Sequence, residues 1–284
     1  MQKCLNILFC LLLLGCQVIP EQEQVLPLPN VDPVSNALLI DFTGFLCVNC
    51  PTAAEEAQRL HDAYPDNLVV VAMHPADNHF TETTIPEYDY TCPAANGYYR
   101  YFGGTASTPF PTGIVDMQQE WLDYPSWASR VRASIVRRKA GYVDVDLTDI
   151  DEANRSFSFS LVVGVNNLND SINDKIENDK IVNAQVFLWL VADSVQGAQM
   201  MPNGSENRSY THRHMLRASV LDDPWGWAIS CEAGESAIHT RYRDYQVTDS
   251  VGGTALPLRR YSLVAVMLDA ETKELLDVKQ IQIK

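Results

Sequence analysis

The first third of the chain alternates short apolar runs with stretches of helical spacing. Ala37–Phe42 and Leu68–Met73 are short, largely apolar runs, the pattern of strands buried on both faces of a parallel sheet. Between them, Pro51–Tyr64 carries small and apolar residues along one helical stripe. A strand, a helix and a strand in this order predict a βαβ unit. Ile114–Val115 and Trp121–Lys139 predict a further short strand and a closing helix.

The hydrophobic period changes to two from Tyr142 onward. In Ser156–Val163, aromatic and aliphatic residues alternate with serines, as in a strand with one buried face. The further strand candidates are Val182–Val191, His212–Val220, Ala237–Val247, Arg260–Leu268 and Leu275–Ile283. About seven strands with little helix predict an antiparallel, immunoglobulin-like β-sandwich. The predicted organisation is therefore an α/β domain over residues 37–140 and an all-β domain over residues 141–284.

The N-terminus has the layout of a secretory signal. Lys3 precedes a run from Leu5 to Leu14 that is about half the roughly 20 residues needed to span a bilayer. The sequence Leu13-Leu14-Gly15-Cys16 resembles the bacterial lipobox, which implies removal of residues 1–15 and acylation of Cys16. Gln17 follows where an aspartate retains many lipoproteins in the inner membrane, so the outer membrane is expected. The proline-rich residues 16–36 predict an extended tether.

Composition and charge narrow the possible partners. The 284 residues are 46% apolar, enough for packed cores, and carry 21 basic against 36 acidic side chains, a net charge of −15. A strongly acidic chain is a poor counterion for phosphate, which argues against nucleic acid as a partner. No cofactor is expected. The predicted contacts are the outer membrane, through lipid on Cys16, and proteins of the cell envelope.

The candidate chemistry lies in a Cys-x-x-Cys pair that follows the first predicted strand. With Cys47 near a helix N-cap and Cys50 three residues further, both sulfurs reach the first helical turn and can form a disulfide. The helix dipole stabilises a thiolate there, so Cys47 is expected to be the exposed attacking sulfur and Cys50 the resolving one. The alternative is a structural disulfide, since exported domains often carry one.

The same segment resembles thioredoxins. The pair Asp41-Phe42 stands on the strand, with Asp41 six residues before Cys47, as in that family. The resemblance implies that Asp41 assists deprotonation of Cys50, and that Pro111 is a cis proline opposite the disulfide. The chain departs from the family pattern at Leu46, where thioredoxins have tryptophan, and between the cysteines, where Val48-Asn49 replaces Gly-Pro.

A second resemblance covers nearly the whole chain after residue 15. The phrases IDFTGFLCVNCPTAAEEAQRL, VVVAMHP, PFPTGIVD and YTHRHMLRASVLDDPWGWAI resemble the Bacteroidota family of twenty-eight-kilodalton outer-membrane lipoproteins. Membership would imply a thioredoxin-like N-terminal domain joined to a β-rich C-terminal domain. The biochemical function of that family is largely undefined, so two functions stay open: thiol–disulfide exchange, and a binding role in which the thioredoxin-like domain is a scaffold.

Several residues outside the pair have alternative interpretations. His212 and His214 are two apart on one predicted strand face, a spacing that can chelate a metal and more often serves structure. A copper or zinc chaperone using the cysteine pair and a histidine is a third, weaker possibility, and no metal site is predicted. His74 ends a predicted parallel strand, where ligands often bind. Trp225-Gly226-Trp227 is a candidate sugar platform or a packing corner. Sequence cannot decide the pairing of Cys92 and Cys231.

Overall fold

The two apolar runs of the N-terminal part form neighbouring strands of a mixed sheet. The computed structural model describes residues 31–165, 181–221, 223, 225–232 and 238–284. The helices are α1 (Cys50–Ala63), α2 (Pro93–Tyr101) and α3 (Tyr124–Ile135). The strands are β1 (Ala37–Phe42), β2 (Leu68–Met73), β3 (Thr112–Val115), β4 (Gly141–Asp151), β5 (Ser156–Val165), β6 (Ile181–Ala192), β7 (Val195–Met200), β8 (Glu206–His212), β9 (Met215–Ser219), β10 (Trp227–Glu232), β11 (Ile238–Gln246), β12 (Tyr261–Asp269) and β13 (Leu275–Gln282).

The predicted βαβ unit is confirmed. Strands β1 and β2 are parallel, in register from Ala37 opposite Leu68 to Phe42 opposite Met73, and α1 connects them. Every residue of both strands is buried, including the acid Asp41, as their largely apolar sequences favour. Strand β3 lies antiparallel on the other side of β1, with Thr112 opposite Phe42. The carboxyl end of β1, which leads into the cysteine loop, therefore lies beside the start of β3.

The sheet continues into the C-terminal half of the chain. Seven of its eight strands follow the order β13-β12-β6-β9-β2-β1-β3, and the eighth, β10, pairs with β6. The junction is a parallel contact between Ala72 on β2 and Met215 on β9. The amide of Ala72 also donates to the carbonyl of His214 at 2.7 Å. Residues 31–284 form one compact unit, and the division at residue 141 stays a prediction.

Two small antiparallel sheets complete the β structure that the described residues show. One has the order β11-β5-β4, and the other is the β7–β8 hairpin. Phe157 and Phe159 of β5 share a hydrophobic core with Leu188 of β6 and Leu263 of β12, so the three-stranded sheet packs against the large one. The shown architecture is a mixed α/β sheet with parallel strands plus small antiparallel sheets.

Some of the predicted helix and strand bounds were wrong. The segment His212–Val220 is not one strand: β8 ends at His212, and His214 has φ 55°, a left-handed turn conformation, before β9 begins. The closing helix runs from Tyr124 to Ile135 rather than from Trp121 to Lys139, and beyond its end the Lys139 ammonium is buried 3.3 Å from the Asp116 carboxylate. Helix α2, Pro93–Tyr101, was not predicted.

Predictions on the first thirty residues lie outside the described part of the chain. They include the signal peptide of residues 1–15, acylation of Cys16 and most of the tether. Among the helices that the structure does describe, none is both long and apolar enough to cross a bilayer.

Candidate active site

Cys47 and Cys50 form a disulfide, with their Cα atoms 5.4 Å apart. The N-cap of α1 is Asn49, and Cys50 is the first helical residue, so Cys47 precedes the cap instead of occupying it. The amide of Cys50 donates to the carbonyl of Cys47 at 3.3 Å, which closes the loop as a tight turn. The first turn tolerates Pro51 because its missing N–H would lack an intrahelical acceptor.

The expected exposure of Cys47 was wrong, because Cys47 and Cys50 are each only 1% exposed. The β7–β8 hairpin contacts the loop from one side: the Gln199 side-chain amide donates to the carbonyls of Cys47 (3.0 Å) and Gly44 (3.3 Å). From the 79–81 turn, the Phe80 carbonyl accepts from the amide of Leu46 at 3.0 Å. Backbone groups of the loop are thus bound by two segments distant in sequence.

Pro111 lies where the sequence predicts the family's proline. The Phe110–Pro111 peptide bond is cis, and Pro111 is half-buried immediately before β3. Phe110 belongs to the same hydrophobic cluster as Cys47 and Cys50. The register of β3 on β1 therefore brings the proline to the end of β1 from which the cysteine loop departs.

Asp41 is a buried acid behind the disulfide. It is 2% exposed, and its Oδ1 atom has no hydrogen-bond partner among the described residues. Burial raises the pKa of Asp41 to about 7, because a carboxylate loses its hydration when it leaves water. A carboxyl group with this pKa can take up and release a proton near neutral pH.

Asp41 and Cys50 both line a cavity of about 320 Å³. Its other walls are the α1 residues around Ala54, the end of β2 and the β8–β9 segment. Asp41 is opposite Ala72 in the sheet, and His74, two residues further along, reaches the same cavity. His212 and His214 line it as well. Sequence reasoning singled out these three histidines separately, and only the fold brings them together with Asp41.

The three histidines are held in the neutral form. Burial, together with His212 and Arg217, lowers the pKa of His74 well below its ordinary value. Burial likewise lowers the pKa of His212 and of His214 to about 4. Neither ring nitrogen of His74 has a hydrogen-bond partner in the described part of the chain. No group of three histidine, cysteine or acidic side chains in that part is arranged to hold a metal ion.

The other sequence candidates lie away from this cavity. Cys92 and Cys231 are both free and buried. The Cys92 sulfur caps α2, where it accepts from the amide of Ala95 at 3.4 Å, and burial raises the pKa of its thiol. Trp225 is 38% exposed and packs against Tyr98 and Tyr101, with ring centroids 5.5 and 5.2 Å away.

Comparison with solved structures identifies the fold. HBP35 of Porphyromonas gingivalis matches 88% of this chain and 75% of its own, with a TM-score of 0.59 at 16% sequence identity. The two proteins share a fold. A protein from Agrobacterium tumefaciens, solved by a structural genomics consortium, matches 89% of this chain and 96% of its own, with a TM-score of 0.50 at 12% identity.

A domain of the outer membrane lipoprotein Omp28 from Porphyromonas gingivalis also matches, over 51% of this chain and 89% of the domain. Its TM-score is 0.32 at 16% identity. No protein-family model matches the chain, and no curated protein sequence matches it either.

Proposed function

We propose that the chain is a lipid-anchored protein of the outer membrane that performs thiol–disulfide exchange in the cell envelope. The anchor is Cys16, on the strength of the lipobox-like residues before it. In this proposal residues 37–140 are the thioredoxin-like catalytic domain, and residues 141–284 form a β-sandwich domain that covers it. The expected clients are envelope proteins.

One observation carries the proposal: the Cys47–Cys50 disulfide stands at the start of α1, with Asp41 buried behind it. In exchange, a client thiolate attacks one sulfur, and the other leaves with the electron pair as a thiolate. Asp41 shares a cavity with Cys50 and has a pKa of about 7. We assign Asp41 the role of exchanging a proton with the Cys50 sulfur as that sulfur is released or attacks.

The burial of both sulfurs favours a second function, that of a binding lipoprotein in which the disulfide is structural. At 1% exposure, neither cysteine meets a protein client unless the β7–β8 hairpin or the 79–81 turn moves. In this case the disulfide ties the loop to α1, and the cell-envelope partner binds elsewhere.

A redox titration separates the two functions. The chain is equilibrated in dithiothreitol buffers, free thiols are alkylated, and peptide mapping assigns each alkylated cysteine. An exchange site is expected to have a midpoint between about −120 and −270 mV, the range of disulfide oxidoreductases, whereas a structural disulfide stays oxidised to below about −300 mV. The matched control is Cys92→Ala, which removes a free thiol and is expected to leave the midpoint unchanged.

A further inference from the structure

The cavity behind the disulfide reaches one sulfur-bearing residue and not the other. Cys50 is part of its wall, and Cys47 is not. Gln199, which also lines the cavity, donates to the Cys47 carbonyl, and the 79–81 turn accepts from the amide of the preceding residue, Leu46. The two cysteines therefore differ in how a reagent can approach them: Cys47 from the client side once the cover moves, and Cys50 from within the cavity.

The geometry of exchange makes this difference chemically meaningful. A thiolate attacks a disulfide along the line of the sulfur–sulfur bond, from the far side of the sulfur that it joins. Because Cys50 lines the cavity and Cys47 does not, a nucleophile held there would attack the Cys50 sulfur. Cys47 is then the leaving group. The cavity, at about 320 Å³, is large enough for an amino-acid-sized molecule.

The polar groups of the cavity fit a small zwitterion. The His74 ring and the Asp41 Oδ1 atom are buried in the cavity wall and lack hydrogen-bond partners within the described residues. Arg213 and Glu55 line the same cavity and are exposed. Arg213 makes no ion pair with a carboxylate in the described part of the chain. A guanidinium and a carboxylate in one cavity match the carboxylate and ammonium of a free amino acid.

We infer that this cavity binds a low-molecular-weight amino-acid thiol of the size of cysteine, which exchanges with the disulfide at Cys50. The inference rests on the proposed function and adds a second substrate class to it. One thiolate bonds to the Cys50 sulfur, the Cys47–Cys50 bond breaks, and the electron pair leaves on Cys47, which takes up a proton. A second thiolate attacks the small-molecule sulfur of the mixed disulfide and releases Cys50 as a thiol. Two small thiols become one disulfide, and the protein pair is reduced.

The test blocks the cavity and measures reduction of the pair by L-cysteine. Ala54 lines the cavity, whereas Ala63, on the same helix, is exposed and does not. We expect Ala63→Phe to be reduced at the wild-type rate and Ala54→Phe at least tenfold more slowly, with folding checked by circular dichroism. Ala54→Leu is the smaller plug if the phenylalanine variant fails to fold. Equal rates for wild type and the plugged variant would overturn the inference.

A second measurement asks which sulfur reacts. Cys47→Ala is treated with cystine, and peptide mapping is expected to find cysteinylated Cys50, an adduct that Ala54→Phe suppresses tenfold. Cys50→Ala is expected to leave Cys47 unmodified, and the opposite pattern would sink the inference. If the pair titrates in dithiothreitol while the plug has no effect, the small-thiol route fails and the proposed function stands. If the pair never titrates, the proposed function fails as well.

Discussion

The side-chain amide of Gln199 donates a hydrogen bond to the backbone carbonyl of Cys47, 152 residues earlier in the chain, at 3.0 Å. The same amide donates to the carbonyls of Gly44 and Met200. One buried side chain of β7 thus holds the hairpin against the cysteine loop. Breaking this contact is one way in which a protein client could reach Cys47.

Replacing Gln199 should open the disulfide. We expect Gln199→Ala to raise the rate at which a reduced protein dithiol reduces the pair by about tenfold. The loss of the hydrogen bonds donated by this amide should lower the free energy of unfolding by about 1–3 kcal/mol. Gln196→Ala, on the exposed face of the same hairpin, is the control for a general loosening of the strand. If both variants accelerate reduction equally, the Gln199 contact is not what covers Cys47.

Asp41 should make stability fall as pH rises. Its pKa is about 7 in the fold and 3.8 as the ordinary value, so between these pH values the folded state binds one more proton than the unfolded state. Its contribution is complete below pH 3.8 and is lost as pH rises through 7, by at most about 4 kcal/mol. Asp41→Asn should therefore gain stability relative to wild type between pH 5 and pH 8 in urea titrations. A difference that does not change with pH would contradict the buried-acid assignment.

His212 should make the stability of the fold decrease as pH falls. Its pKa is lowered from 6.5 to about 4, so in this window the unfolded state binds one more proton than the folded state. The stabilising contribution is present above pH 6.5 and is lost as pH falls toward 4, by at most about 3 kcal/mol. His212→Gln should reduce the slope of the unfolding free energy against pH between pH 4 and 6.5 by the equivalent of about one bound proton. A slope identical to that of wild type would show that His212 is protonated in the fold.

A buried ion pair should be a main anchor of β9. Arg217 and Asp249 are nearly buried, 3.1 Å apart, and the Arg217 guanidinium also donates to the carbonyls of Tyr90 and Ser250. We expect Arg217→Ala to cost about 3–5 kcal/mol of unfolding free energy, because Asp249 stays buried without its partner. The comparison is Arg208→Ala, which breaks the exposed pair with Glu206 and should cost far less in the same titration, because water solvates both groups. Similar losses in the two variants would refute the anchor.

Site residues that are close together in the sequence could be predicted from their spacing. The strand-to-helix layout located Cys47 and Cys50, and the resemblance to thioredoxins gave Asp41 and Pro111, whose preceding peptide bond is cis as expected. Whether these four residues catalyse exchange stays a prediction. The cover on Cys47 could not be predicted, because the Gln199 contact spans 152 residues and no local pattern marks it.

The β-rich half was predicted less completely. Strand β4 shows the period-two alternation, with Val143 and Val145 buried, yet its many aspartates have low strand propensity, and it was not among the predicted strands. The sequence indicated His74 as a candidate ligand-binding residue because it follows the end of β2. The cavity that it shares with His212 arises only when β8 folds back beside α1, a long-range event.

The junction between β2 and β9 has a consequence for work with fragments. Met215 and His214 occupy the side of β2 away from β1. A fragment truncated at residue 140 would therefore present the backbone of β2 as an open edge, flanked by the apolar side chains of a strand built for burial on both faces. Such an edge recruits strands from other molecules. Separately expressed halves should precipitate or self-associate, and co-expression of both should restore solubility.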